Sequence, residues 1–265
     1  MDSVVPHREQ FHIAGKLNAW IGFITLFTTI MSIIQIIYDC TNLSEKPFWG
    51  KIGPLLSPTI LLGTILIIVL SIAYTFVYRR AEDIRRDSFA DNSFGCLLSD
   101  EESIGYFSND AINPSTKKAL ANLHENCFFS LSIVSLMCKK SFIRSCIILF
   151  LLLICIIYNV SGNKILLGIA NILISLHTLQ DFINILYLKK SLERVSENCK
   201  ALWSSLSDKN CSSSHIIGKI SRELIRYETA LAYASIMLDS KCFKKINDEK
   251  TKEWAKLQKR FEILS

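Results

Sequence analysis

Apolar and polar positions are strongly segregated along this chain. Four runs lack charge over most of their length: Leu17–Tyr38, Ile52–Tyr78, Ser145–Asn163 and Ile165–Gln180. Crossing a bilayer core takes about 20 apolar residues in a helix, and soluble core helices seldom run so long without a charge. The runs predict an all-α membrane protein with four transmembrane helices in two hairpins. Between the hairpins lies a polar stretch whose two ends are tied to the same membrane face. The chain then divides into a short polar start (1–16), a first hairpin (17–78), a cytosolic helical insert (79–140), a second hairpin (141–187) and a cytosolic helical tail (188–265). The first run is too long for a cleaved leader, and no small-residue cleavage site follows it.

Periodicity inside the runs marks particular faces. In the first, Asn18, Thr25, Thr28, Thr29, Ser32 and Gln35 recur at intervals of three, four and seven and so share one side of a helix. A polar stripe within a bilayer either bonds a neighbouring helix or faces water. Helix packing is the first reading; Asn18, Thr25, Thr28, Ser32 and Gln35 as a pore lining is the sharper one. The fourth run carries Asn171, Ser175, His177, Thr178, Gln180, Asp181 and Asn184. Asn171, Ser175, Thr178 and Asp181 join the pore-lining candidates. His177 and Asp181, one turn apart, are gate candidates, since ionisable groups inside a membrane are costly. The alternative is that Asp181, two turns from Lys189, is hydrated at the interface.

In the second run, Gly63, Ser71 and Thr75 allow close approach by another helix. An outer turn, Asp39–Pro54, precedes it, and the span is expected to start near Pro58. Nothing breaks the helix before Arg79, so it is expected to continue through Arg86, with Arg79/Asp83 and Glu82/Arg86 pairing at four-residue spacing. Residues 87–113 read as an ordered, turn-rich loop held by Phe89, Phe94, Tyr106 and Phe107. Asn113-Pro114 reads as the next helix start. The apolar face of Leu120, Leu123, Cys127, Phe128, Leu131, Val134 and Met137 then joins the third run in one helix of over forty residues, on the order of 65 Å long. Ser161-Gly162-Asn163 makes a tight outer turn. In the tail, Ile217, Ile220, Leu224, Tyr227, Leu231 and Leu238 predict an amphipathic helix that packs on the cytosolic stalks or lies on the membrane. Trp254, Leu257, Phe261 and Leu264 suggest one last helix.

Charge sets the orientation. The net charge is +6, and Lys and Arg crowd the insert and the tail while the outer turns carry only Lys46, Lys51 and Lys164. The positive-inside rule puts both termini and the insert in the cytoplasm. The charge is read as this topology signal together with attraction to anionic lipid, and nucleic acid is not an expected partner. Arg79, Arg80, Arg85 and Arg86 are either topology determinants or the contact for an anionic messenger, since guanidinium pairs phosphate oxygens in bidentate fashion.

Catalytic chemistry is sparse. The nine cysteines include no Cys-x-x-Cys pair and are expected to be reduced thiols. The five histidines lack the spacing of a helical zinc pair, and His124-Glu125 lacks a second His. No nucleotide loop, nucleophile elbow or kinase signature occurs. Asp91, Glu101 and Asp110 have no paired spacing and read as solvated surface. No metal, cofactor or catalytic residue is expected, and the protein is not expected to be an enzyme.

In its architecture the chain resembles the SMODS-associated four-transmembrane effectors of bacterial defence islands. The likeness rests on two N-terminal spans, a cytosolic insert of this size, a tight second hairpin and a basic helical tail. It also rests on Arg79-Arg80-Ala81…Arg85-Arg86-Asp87, Asp91-Asn92-Ser93-Phe94-Gly95, Gly105-Tyr106-Phe107 and Glu223-Leu-Ile-Arg226-Tyr227-Glu228. The resemblance implies a homo-oligomeric abortive-infection effector of the bacterial inner membrane. Such an effector is expected to permeabilise or depolarise that membrane on a cytosolic signal, from a cyclic-nucleotide messenger or a defence-operon partner protein. The alternative from the residues is a non-conducting membrane adaptor that binds a partner protein through its cytosolic face.

Overall fold

The computed structural model describes residues 5–40, 47–101, 103–159, 165–206 and 213–264, and side chains within 151–178 lie outside the described residues. Six helices account for nearly all of it: α1 (Arg8–Cys40), α2 (Pro47–Phe94), α3 (Thr116–Asn159), α4 (Ile165–Leu206), α5 (Ser213–Ala234) and α6 (Ser240–Arg260). No β-strand occurs among the described residues. Three helices contain stretches long and apolar enough to cross a membrane, within Arg8–Gln35, Pro47–Phe94 and Thr116–Ile147. These mark the chain as a membrane protein. The Ser161-Gly162-Asn163 turn and the side chains of Asn171, Ser175, His177 and Thr178 lie outside the described residues.

The chain forms two compact units. The first, Pro6–Arg86 with Ile165–Leu167, is mainly the α1–α2 hairpin. Gly63 has no Cβ because that atom would overlap the Thr28 methyl, and Gly53 likewise leaves room for the Tyr38 ring. The two helices therefore touch through backbone at Gly63, as the small residues of α2 predict. Thr28, Ser32 and Gln35 are buried, Thr25 is half-buried and Asn18 is exposed. The hydroxyls bond back to their own helix, Thr25 to the Ile21 carbonyl at 2.8 Å and Ser32 to that of Thr28 at 2.8 Å. Gln35 Oε1 accepts from Ser57 across the hairpin at 3.5 Å.

The start of α2 differs from expectation. It begins at Pro47, not near Pro58, and holds both Pro54 and Pro58 inside it. Pro47 suits a first helical turn, where its missing N–H has no partner to lose. The two interior prolines each remove a helix bond, which apolar spans tolerate better than a reading from soluble helices suggests. At its other end α2 runs past Arg86 to Phe94, where Gly95 at φ +70 turns the chain and its N–H bonds the Asp91 carbonyl at 2.8 Å. Glu82 pairs with Arg85 and Asp83 with Arg86, each three residues apart.

The second unit holds α3, α5, α6, nearly all of α4 and the segment from Asp87 to the start of α3. Its core joins Phe89 and Phe107 to Leu120, Leu123, Cys127 and Val134 of α3, Leu188, Leu192, Val195 and Trp203 of α4, Ile220, Tyr227 and Leu231 of α5, and Trp254 of α6. Helix α3 starts at Thr116, two residues later than Asn113-Pro114 suggests, because Ser115 is the cap: its Oγ accepts from Lys118 N at 3.2 Å. At 44 residues it spans about 66 Å. Helix α5 buries Ile216 where Ile217 was expected; Ile217 is exposed, and Leu238 lies beyond the helix end. Helix α6 starts at an Asp239 cap that accepts from Lys241 N at 2.8 Å. It buries Trp254, with Leu257 and Phe261 packed on the core, while Ile263 rather than Leu264 is enclosed.

Candidate functional site

Within the second unit, four segments meet at a buried polar joint. Asn92 and Ser93 come from the last turn of α2, Ser108 and Asn109 from the loop, Asn122 and Glu125 from α3, and Trp254 and Gln258 from α6. Asn122 and Glu125 are three apart on one side of α3, and Trp254 and Gln258 are four apart on the core side of α6. Helical spacing alone thus delivers two polar pairs to one place, and the loop descends between them.

The bonds close a network. Asn109 Nδ2 donates to Glu125 Oε2 at 2.6 Å and to Asn122 Oδ1 at 3.2 Å. Asn122 Nδ2 donates to Asn92 Oδ1 at 2.8 Å and to Ser93 Oγ at 3.0 Å. The Ser108 N–H points at both Glu125 oxygens, 3.3 and 3.2 Å away. From α6, Trp254 Nε1 donates to Ser108 Oγ at 2.8 Å, and Gln258 Nε2 to Ser108 Oγ and Asn109 Oδ1, each at 3.0 Å. Such a network fixes the loop against two helices only while every member is satisfied.

Glu125 is its titrating member. Burial pushes its carboxyl up to about 7; the hydrogen bonds from Ser108 and Asn109 pull the other way, and Asp110 adds to the rise. One residue earlier, His124 accepts from Trp203 Nε1 at Nδ1, 3.2 Å away, and meets the Trp254 ring edge-on at 5.1 Å between centroids. Burial, and then Lys200, hold its imidazole down to about 4, so it is neutral at physiological pH. Two adjacent residues are therefore shifted in opposite directions by the same desolvation.

No family model, curated protein or solved structure matches this chain. The site has to be read from its own chemistry.

That chemistry is a set of amide, hydroxyl and indole donors gathered around one carboxyl. Cys127 donates to the Leu192 carbonyl at 3.2 Å, and burial pushes its thiol up to about 12. Cys199 is raised likewise by burial, so neither is a ready nucleophile. Among the described residues no group of His, Cys, Asp and Glu has the arrangement of a metal site. A fully enclosed carboxylate, Glu223 on α5, accepts from Arg222 Nε and Arg226 Nη1, each at 2.9 Å, and from Asn198 of α4 at 3.0 Å. It ties α5 to α4.

The residues singled out in the sequence fall elsewhere. Arg79 and Arg80 are exposed, while Arg85 is buried with Glu82 at 3.0 Å and Arg86 bonds Asp83 at 2.8 Å. The four guanidiniums therefore do not present one common face. Asp181 stands 3.8 Å from Arg144 of α3 and is only partly enclosed. Slight burial opposes ionisation of Asp91, but hydrogen bonds from the Ser99 hydroxyl and the Leu98 and Ser99 amides outweigh it and hold its carboxyl below the usual range.

The joint itself was missed from sequence. His124-Glu125 lacks the second His of a helical zinc motif, so its sequence gives no sign of this network. The available signal was Trp254 and Gln258, two polar-tipped side chains on the apolar stripe of the last helix.

Proposed function

We propose that this chain is a membrane effector of bacterial anti-phage defence, of the abortive-infection type. In this reading four spans anchor it in the inner membrane with both termini in the cytoplasm. Copies oligomerise and permeabilise or depolarise the membrane when a cytosolic signal, a cyclic nucleotide or a partner protein, reaches the helical layer. The defence setting comes from the resemblance in architecture. The observation that carries the mechanism is the continuity of α3, which runs unbroken from Asn122 and Glu125 of the polar joint, past Lys139-Lys140, into an apolar run. A helix transmits rotation and tilt along its whole length, so a change at the joint reaches the bilayer.

The hairpin geometry shifts weight between the pore-lining candidates. Thr28, Ser32 and Gln35 are enclosed within their own hairpin, so they reach water only if α1 rotates. An aqueous path then draws first on the fourth run, with Asp181 at its cytoplasmic end released from Arg144.

The test is membrane potential and dye entry in cells expressing the protein, with and without its genomic neighbours. Depolarisation that requires a neighbour supports a gated effector. Asp181→Asn and Ser32→Leu, at equal expression and equal membrane insertion, are expected to alter it. Unchanged depolarisation in both variants removes the proposed path, and an intact potential throughout favours the adaptor.

A further inference from the structure

The loop that follows α2 carries the most exposed apolar side chain of the polar layer, Leu97, with exposed Leu98 beside it. Leu97 is 97% exposed and Leu98 60%, followed by exposed Asp100 and Glu101. The loop is not slack: Asp91 accepts from the Leu98 and Ser99 amides, each at 2.8 Å, and Gly95 packs beside Pro114. A fixed turn therefore holds two leucines out into water. From Asp87 to Thr116 there is no lysine or arginine, so the whole segment is acidic.

Helix α6 is the counterpart. At about 100° per residue, Lys241, Lys245, Lys252, Lys256 and Lys259 fall within about 60° of one another, in a stripe about 27 Å long. All five are exposed, and the stripe lies opposite the buried Trp254 and Gln258. Asp248 and Glu249 interrupt it at mid-helix; the half beyond them, Lys252, Lys256 and Lys259, has only Ala255 and lysine stems between its charges.

The course of α6 decides against lipid as the occupant of this stripe. Its cap, Asp239, lies 3.4 Å from Lys140, just before the third apolar run of α3, whereas Gln258 bonds the loop beside Asn122, about 27 Å back along α3. A helix bound to a bilayer surface lies in its plane; this one runs away from it. Because Trp254 and Gln258 both bond Ser108, the distal lysines stand at the level of the acidic segment in the same molecule.

We propose that the Leu97–Glu101 turn of one copy docks on the Lys252, Lys256 and Lys259 face of α6 in a second copy. This rests on the membrane reading above, because it takes every copy to stand the same way up. Copies related by rotation about the membrane normal keep the turn and the distal lysines at matching levels. Opposite charges then meet around two leucines that gain an apolar cover from Ala255 and the lysine stems. The contact joins two different surfaces, so it is heterologous, and in a membrane plane it propagates into a ring when the rotation closes.

Charge reversal in the full-length protein in native membranes tests the contact. Asp100→Lys with Glu101→Lys, or Lys252→Glu with Lys256→Glu, is expected to abolish assembly seen by native electrophoresis, and the four changes together to restore it. All sites are exposed, so helix content is expected to stay the same. Independently, Lys256→Cys is expected to give an oxidative ladder of dimers and larger species through the native, exposed Cys96, and Cys96→Ser to remove that ladder. A monomeric parent, assembly insensitive to either reversal, failure of the combined reversal to restore it, or no Cys96-dependent ladder overturns the proposal. Assembly without depolarisation leaves the interface standing and removes the effector reading instead.

Discussion

Replacing Glu125 by Gln gives the most discriminating measurement on the joint. In the folded chain its carboxyl titrates at about 7, against an ordinary value of 4.5. A group whose folded pKa is raised stabilises the fold fully below its unfolded pKa and loses that contribution as pH rises through the folded one. The window runs from about pH 4.5 to 7, and about 2.5 units at 1.36 kcal/mol each is roughly 3 kcal/mol. His124 works in reverse: its folded value of about 4, against 6.5, costs stability as pH falls through the same region. The two slopes oppose one another, so the parent is expected to be nearly flat between about pH 4.5 and 6.5. Glu125→Gln removes one slope while keeping a side-chain oxygen for Asn109. The variant is expected to match the parent near pH 4.5 and to exceed it by up to about 3 kcal/mol above pH 7.5. Hydrogen exchange at the Ser108 amide and along α6, read as opening free energy at each pH, checks it. A difference between the two proteins that does not change with pH refutes the assignment of Glu125 as the titrating member.

Two further perturbations test the packing. Gly63→Ala places a methyl where the Thr28 side chain lies; it is expected to destabilise the hairpin by about 1–3 kcal/mol in detergent unfolding, and Thr28→Ser in the same chain to relieve it. Trp203→Phe leaves His124 Nδ1 without its donor in a closed core, at an expected cost of about 1–3 kcal/mol in chemical unfolding.

Length and charge patterning made the long helices legible. The run from Leu120 to Met137 into the third apolar stretch reads as one helix because its period never breaks, and α3 is one helix. Boundaries were less legible where a cap competes with a proline signal: Ser115 rather than Asn113 starts α3, and Pro47 starts α2. The polar joint was hidden for a different reason. Its members come from positions 92, 108, 122 and 258, and each taken singly looks like an ordinary polar residue near an apolar face. Only the tertiary fold makes Asn109 and Gln258 partners. Conversely, the arginines at 79–86 look like one basic patch in sequence, but Arg85 is enclosed with Glu82.

Those wide separations order events in time. Trp254 and Gln258 follow Ser108 by 146 and 150 residues. At about 5–20 residues per second of synthesis, roughly 7–30 s pass between the emergence of Ser108 and that of its partners on α6. The first two apolar runs precede that interval, the other two are made within it, and the joint stays open to its end because the α6 groups that close it do not yet exist. The polar helical layer of each new molecule is therefore completed last, after its apolar runs. A ribosome stalled before Trp254 leaves a chain with every apolar run entire and the α6 side of the polar joint missing.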